Sequence, residues 1–171
     1  MARKHYMTVH SERTGERVVS PGEILTKELK KQRITQKELA VLLGRSEKFI
    51  SQLITGKVRL TYDVAYDLER VLKVPASRWN AAEAAFQEVL TQQKRNAELS
   101  SPAVLEWASH FPYDAMARDG LVPRTSDPAQ QASALLSFFG VASTDAYYAC
   151  LESDKGFEQF KANVKKVNEL R

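Results

Sequence analysis

The sequence predicts an all-α protein, with a five-helix domain followed by a small helical C-terminal domain. Three observations predict it. Helix-start signatures, a Ser, Thr or Asp ahead of Pro or three residues ahead of Glu, recur along the chain. Apolar residues between them return at intervals of three and four. The period-two alternation expected of strands is nearly absent.

The elements follow in order. Ser20-Pro21-Gly22-Glu23 places a capping serine, a proline at the first helical position and a glutamate three residues after the cap. The helix it opens should bury Ile24, Leu25 and Leu29. Thr35-Gln36-Lys37-Glu38 is a second capping box, leading Leu39, Ala40 and Leu43 into Gly44. Ser46 caps a third helix that buries Ile50, Leu53 and Ile54 and stops at Thr55-Gly56. Thr61 and Asp63 start a fourth, with Val64, Leu68, Val71 and Leu72 at core spacing. Pro75 ends it, and Ser77 is placed to cap a fifth helix holding Trp79, Ala82, Ala85, Phe86, Val89 and Leu90.

Residues 91–101, "TQQKRNAELSS", read as a linker or a polar helix end. Ser101-Pro102 begins another helix with Val104, Leu105 and Trp107, and a Pro- and Gly-rich stretch then frames a short helix. Asp127-Pro128 starts a helix holding Ala132, Leu135, Leu136 and Phe139, which Gly140 terminates. Ser143 or Thr144 caps one more through Leu151, and Phe157 to Leu170 carries Phe160, Val164 and Val167 at helical intervals. Trp107, Phe111, Tyr113, Phe138, Phe139, Tyr147 and Tyr148 are too many aromatics to leave solvated, so this half must pack. The expected divisions are an N-terminal arm (1–19), the five-helix domain (20–90), the linker or helix end (91–101) and a helical assembly or partner-binding domain (102–171).

Composition narrows the function classes. A hydrophobic fraction of 43% and a charged fraction of 27% are ordinary for a folded soluble chain. No run of about 18 apolar residues stands out, so no membrane span is expected. The charged N-terminus lacks the apolar segment of a secretory signal. The single cysteine, Cys150, excludes an internal disulfide, fits a reducing cytoplasm and reads as a small, partly buried hydrophobe. Charge is unevenly spread: residues 1–60 hold 13 Lys+Arg against 6 Asp+Glu, an excess of +7 in a chain of net charge +4. A basic concentration of this kind favours a polyanionic partner.

Spacing within that basic segment points to DNA. Counting from Gln36, Ala40 is fifth, Gly44 ninth, Ile50 fifteenth and Leu53 eighteenth. A helix-turn-helix needs this set: a small residue where the second helix crosses, a glycine for the left-handed turn, and two anchors that leave the opposite face proud. That face carries Ser46, Glu47, Lys48, Ser51 and Gln52.

Residues 20–90 resemble the Xre-type (lambda-repressor-like) helix-turn-helix domain, and within it the HigA-like antitoxin branch. The segments that carry the resemblance are "SPGEILTKELKKQRITQKELAVLLGRS", "ISQLITGKVRLT" and "DVAYDLERVLKVPASRWNAAEAAFQ". The resemblance implies that the third helix enters the major groove. Ser46, Glu47, Lys48 and Gln52 would then face base edges, with Ser51 and Thr55 nearer the backbone. Lys48 suits guanine acceptors, Gln52 can pair bidentately with adenine, and Glu47 can accept from a cytosine amino group. Ser51 is kept with the base-facing set. Gln36, with Lys37, Arg45, Thr55, Lys57 and Arg59, is assigned to phosphates, Gln36 helped by the dipole of its helix. Two positions keep a second reading: Glu47 as a salt-bridge partner of Lys48 or Arg45, and Phe49 as a core or rim residue rather than a thymine-methyl contact.

The C-terminal half resembles the segment that follows the helix-turn-helix in regulators associated with ImmA/IrrE-type metallopeptidases, through "LLSFFGVAS" and the preceding "FP" and Met116. Such a peptidase needs a His-Glu-x-x-His zinc site. His5, His10 and His110 offer no such spacing, and no Gly-rich phosphate loop is present, so no enzyme, cofactor or metal is expected. Expected instead is a cytoplasmic, dimeric, sequence-specific repressor of operator DNA, an autoregulator of a toxin–antitoxin operon. The alternatives are a module that chiefly neutralises a toxin protein, and a regulator that works with a separate peptidase. A basic C-terminal helix with Lys155, Lys161, Lys165, Lys166 and Arg171 reads as a solvated amphipathic surface or a second backbone contact.

Overall fold

Capping chemistry sets where the helices begin. In this computed structural model, which describes residues 9, 10 and 17–170, the chain divides into two units, Met1–Gln92 and Gln93–Arg171. The first holds α1 (Pro21–Gln32), α2 (Gln36–Leu42), α3 (Glu47–Ile54) and α4 (Tyr62–Leu72). Helix α5 runs without a break from Ala76 to Leu99. Ser20, Thr35, Ser46 and Thr61 each accept a hydrogen bond from the backbone N–H three residues on, so all four expected caps form.

Two start signals are used differently from the sequence expectation. Thr35 and Glu38 close a reciprocal capping box, but the Glu23 carboxylate turns to Arg17 (2.5 Å) and Lys27 (2.9 Å), leaving Ser20 as the cap of α1. Ser77 does not cap α5. That helix starts at Ala76, two residues before the position a Ser77 cap would set, and Glu69 reaches from α4 to accept the Ala76 N–H at 2.6 Å. Pro75 precedes α5 and has no side-chain acceptor to offer as a local cap, so a carboxylate from the preceding helix fills the role.

Leu25, Leu29, Leu39, Ala40, Ile50, Leu53, Leu68 and Trp79 share one core, with Ile24, Leu43, Phe49 and Val71 partly buried at its edge. Each large aliphatic buried there contributes about 1.5–3 kcal/mol. Ala85, expected at the apolar face of α5, is exposed; the buried stripe passes through Trp79, Glu83, Phe86 and Val89 instead. Residues 91–99 continue α5. Val9–His10 (β1) pairs antiparallel with Arg17–Val18 (β2), Val9 opposite Val18, and Val18 and Leu90 pack against the buried pair Phe86 and Val89. Strands of two residues are too short for alternation to reveal. The rest of the expected N-terminal arm, 1–8 and 11–16, lies outside the described residues.

The second unit contains α6 (Pro102–Ser109), α7 (Tyr113–Arg118), α8 (Pro128–Phe139), α9 (Thr144–Glu152) and α10 (Glu158–Asn168). Asp127 caps α8 through the N–H groups of Ala129 and Gln130, Gly140 ends it at φ +70°, and Ser143 caps α9. Ser101 precedes α6 without a side-chain cap bond, leaving Pro102 to set the start. Trp107, Phe111, Phe139, Tyr147 and Phe160 pack ring on ring at centroid distances of 4.9–6.5 Å. Tyr148 keeps half its surface in solvent, an exception to the expected packing of these aromatics. Asn163 donates to the Phe138 carbonyl at 2.6 Å, tying α10 to α8.

A window within Pro128–Glu152 reaches a mean hydropathy of 1.2, enough by length and composition to cross a membrane, although polar residues from Gln130 to Asp145 interrupt it and no unbroken run of 18 apolar residues occurs. The break at Gly140–Ser143 divides it into α8 and α9. Ala132, Leu135, Phe139 and Tyr147 from it are buried in the aromatic core. These buried residues are a minority of the segment: 17% of its most apolar window is buried.

Candidate nucleic-acid interface

Helix α3 is eight residues long, too short to hold its shape alone in water. It is fixed from both ends and from beneath. Ser46 Oγ accepts from the Phe49 N–H at 3.1 Å, and the Lys57 N–H donates to the Gln52 carbonyl at 2.9 Å beyond the helix end. Ile50, Leu53 and Ile54 are buried against α1 and α2. Gly44, at φ +60°, makes the left-handed turn that brings α3 back across α2, where Ala40 is buried.

This anchoring leaves the predicted residues in three settings. Arg45, Ser46, Glu47 and Lys48 are exposed at the N-terminal end of α3. Ser51, Gln52 and Thr55 follow along the helix, half-buried. Lys57 and Arg59 are exposed in the turn beyond it. Gln36, half-buried, and Lys37, exposed, open α2. Since α2 and α3 pack directly on one another, their N-terminal ends belong to one framework.

Hydrogen bonding separates these groups further. Lys37, Lys48 and Lys57 have no ion-pair partner among the described residues, so their ammonium groups are open to an external anion. Ser46 uses its oxygen as a cap and keeps its proton for an outside acceptor. Thr55 donates its hydroxyl back to the Ser51 (2.9 Å) and Gln52 (3.2 Å) carbonyls, which leaves it only lone pairs to offer. Arg45 lies 4.0 Å from Asp67 and places its guanidinium 5.7 Å from the Phe49 ring centroid. Phe49 is partly buried and packs on the core. Glu38 closes the α2 capping box, and the hydrogen bonds it receives from the Thr35 backbone and hydroxyl hold its pKa below the ordinary 4.5.

The sequence reading missed several residues that shape this surface. Gly22, in the first turn of α1, lies so close to α3 that a Cβ there would sit 2.0 Å from the Ile54 carbonyl oxygen. Glu83 is buried beneath Arg59, 3.5 Å from its Nε. Its signal was legible: an acid four residues after Trp79 and three before Phe86 lies on the apolar stripe of α5. Asp67, on α4, is shared by Arg45 and Arg70. Tyr62 and Tyr66, one turn apart on α4, are 71% and 59% exposed.

Two helices packed through Ala40, a left-handed glycine turn and a raised polar face with open lysines make a recognisable arrangement. Residues 25–79 match the family model described as helix-turn-helix. This segment is an Xre-like helix-turn-helix domain. The match supports a DNA-binding regulator of transcription. No curated protein matches the chain. Among the described residues, no group of three or more His, Cys, Asp or Glu side chains is placed to hold a metal ion.

Proposed function

We propose that the protein is a sequence-specific repressor that occupies operator DNA through α3 and does so as a homodimer in the cytoplasm. The observation that carries this reading is the division of α3 into a buried apolar side and a raised polar side continuous with open lysines. Lys48 and Gln52 read bases, and Ser46, Glu47 and Ser51 complete the groove-facing set. Gln36, Lys37, Arg45, Lys57 and Arg59 hold phosphates, and Thr55 takes the lesser part that its internal hydrogen bonds allow. Residues 102–171 serve assembly or partner binding. The resemblance to HigA-like antitoxins makes the regulated operon the protein's own, with a toxin protein as the partner of that second unit.

A binding experiment on DNA from upstream of the protein's own gene tests this. Gln52→Ala should relax preference at one base position, a loss of about 1–3 kcal/mol of discrimination. Lys57→Ala should weaken all sequences alike and reduce the salt slope by about one. Equal affinity of wild type for operator and random DNA would remove the base-reading assignment.

A further inference from the structure

The second unit contains an open cleft of about 820 Å³ lined by α7, the loop after it and the first turns of α8, with Asp114, Arg118, Arg124 and Ser126 exposed along it. The loop is held at two points. The Tyr113 hydroxyl donates to the Pro123 carbonyl at 2.7 Å, and Gln131 Nε2 donates to the Thr125 carbonyl at 2.9 Å. Arg124 lies between these two fixed points, and both it and Arg118, the last residue of α7, line the cleft. Neither arginine has an ion-pair partner among the described residues. Ser126 adds a hydroxyl, whereas Thr125 spends its own on Gln130 and on the Asp127 N–H. Asp114 contributes one carboxylate to the same wall, so the lining has two positive charges against one negative.

We propose that this cleft binds a small organic polyanion, held through phosphoryl or carboxylate oxygens by Arg118 and Arg124. A guanidinium presents paired N–H donors that match either group bidentately. The loop is already pinned around Arg124, so little ordering accompanies binding. Asp114 selects among anions: it disfavours those with negative charge on every side and favours one with a hydroxyl or amine on the far side. The site needs nothing from α3 and stands apart from the DNA-reading assignment.

Amide NMR titrations of the full chain at constant ionic strength, with inorganic pyrophosphate and separately with citrate, test the proposal. Saturable shifts confined to residues 113–131 are expected for at least one probe, and the tighter probe identifies the preferred group. Arg118→Gln and Arg124→Gln should each weaken binding about tenfold, with unchanged thermal melts. The double Arg→Lys variant keeps the charge but loses the fork, and should weaken it less than the double Gln variant does. Shifts that never saturate, shifts centred on residues 45–59, or undiminished binding by the double Gln variant would overturn the proposal. So would a double Gln variant that loses duplex-DNA affinity while neither probe saturates, since the arginines would then track a nucleic-acid backbone.

Discussion

Gly22 touches the carbonyl of Ile54: a Cβ at residue 22 would lie 2.0 Å from that oxygen and 2.6 Å from its carbon. The first turn of α1 therefore serves as a stop against which the end of α3 rests. Gly22→Ala must push the two backbones apart, because the clash is with main chain rather than a flexible side chain. A loss of about 1–3 kcal/mol in urea unfolding is expected. A tilted α3 should also weaken operator affinity more than it weakens binding to random DNA. An alanine variant as stable and as specific as wild type would show that the contact does not position α3.

Arg59 shares its charge with Glu83 at 3.5 Å. Replacing Glu83 by Gln keeps the shape and frees the guanidinium for phosphate. DNA affinity should rise about two- to fourfold at low salt, and the gain should fade as salt screens it. Fluorescence anisotropy across a salt series measures this. A fall in affinity would mean that Glu83 instead aims Arg59 at its target.

Helix α5 takes its N-terminal cap from Glu69 on another helix. Glu69→Ala should cost about 1 kcal/mol, the usual loss of a capping group. Ser77→Ala, at the position that local sequence rules favour, should change stability by under about 0.5 kcal/mol. Chemical denaturation of both variants decides between the two caps.

The Glu38 carboxyl has its pKa lowered by the Thr35 backbone N–H first and the Thr35 hydroxyl second. A depressed carboxylate pKa stabilises the fold at neutral pH, and that stability is lost as pH falls through the folded value, below 4.5. Glu38→Gln has no such proton to gain. The gap in melting temperature between wild type and Glu38→Gln should stay constant at neutral pH and shrink in acid. A gap that widens in acid would contradict the sign.

Local signals in the sequence carried much of the fold. Ser20, Thr35, Ser46, Thr61, Asp127 and Ser143 all cap helices because capping depends on residues three apart. Gly44 was readable because a left-handed turn has few other solutions. The misreadings have long-range causes. Glu69 caps a helix seven residues on, and Glu23 leaves its capping role for Arg17 and Lys27. Gly22 matters only because Ile54 arrives beside it, 32 residues later in the chain. Of the residues that spacing put on the polar side of α3, Ser46, Glu47 and Lys48 are exposed and Ser51 and Gln52 are half-buried. Spacing could not show that Thr55 turns its hydroxyl inward or that Arg45 and Arg59 already face carboxylates.

The length of α3 limits how much information one copy can extract. Eight residues rise about 12 Å, which spans only three or four base pairs at about 3.4 Å each. A four-letter word recurs by chance about once in 256 positions, against the roughly 10⁶–10⁹ competing sites of a genome. One such helix would be titrated away by coincidental matches. On the proposed reading, addressing a single promoter takes two such words at a fixed distance, so the surface that sets that distance belongs to the address as much as the proposed base readers Lys48 and Gln52 do.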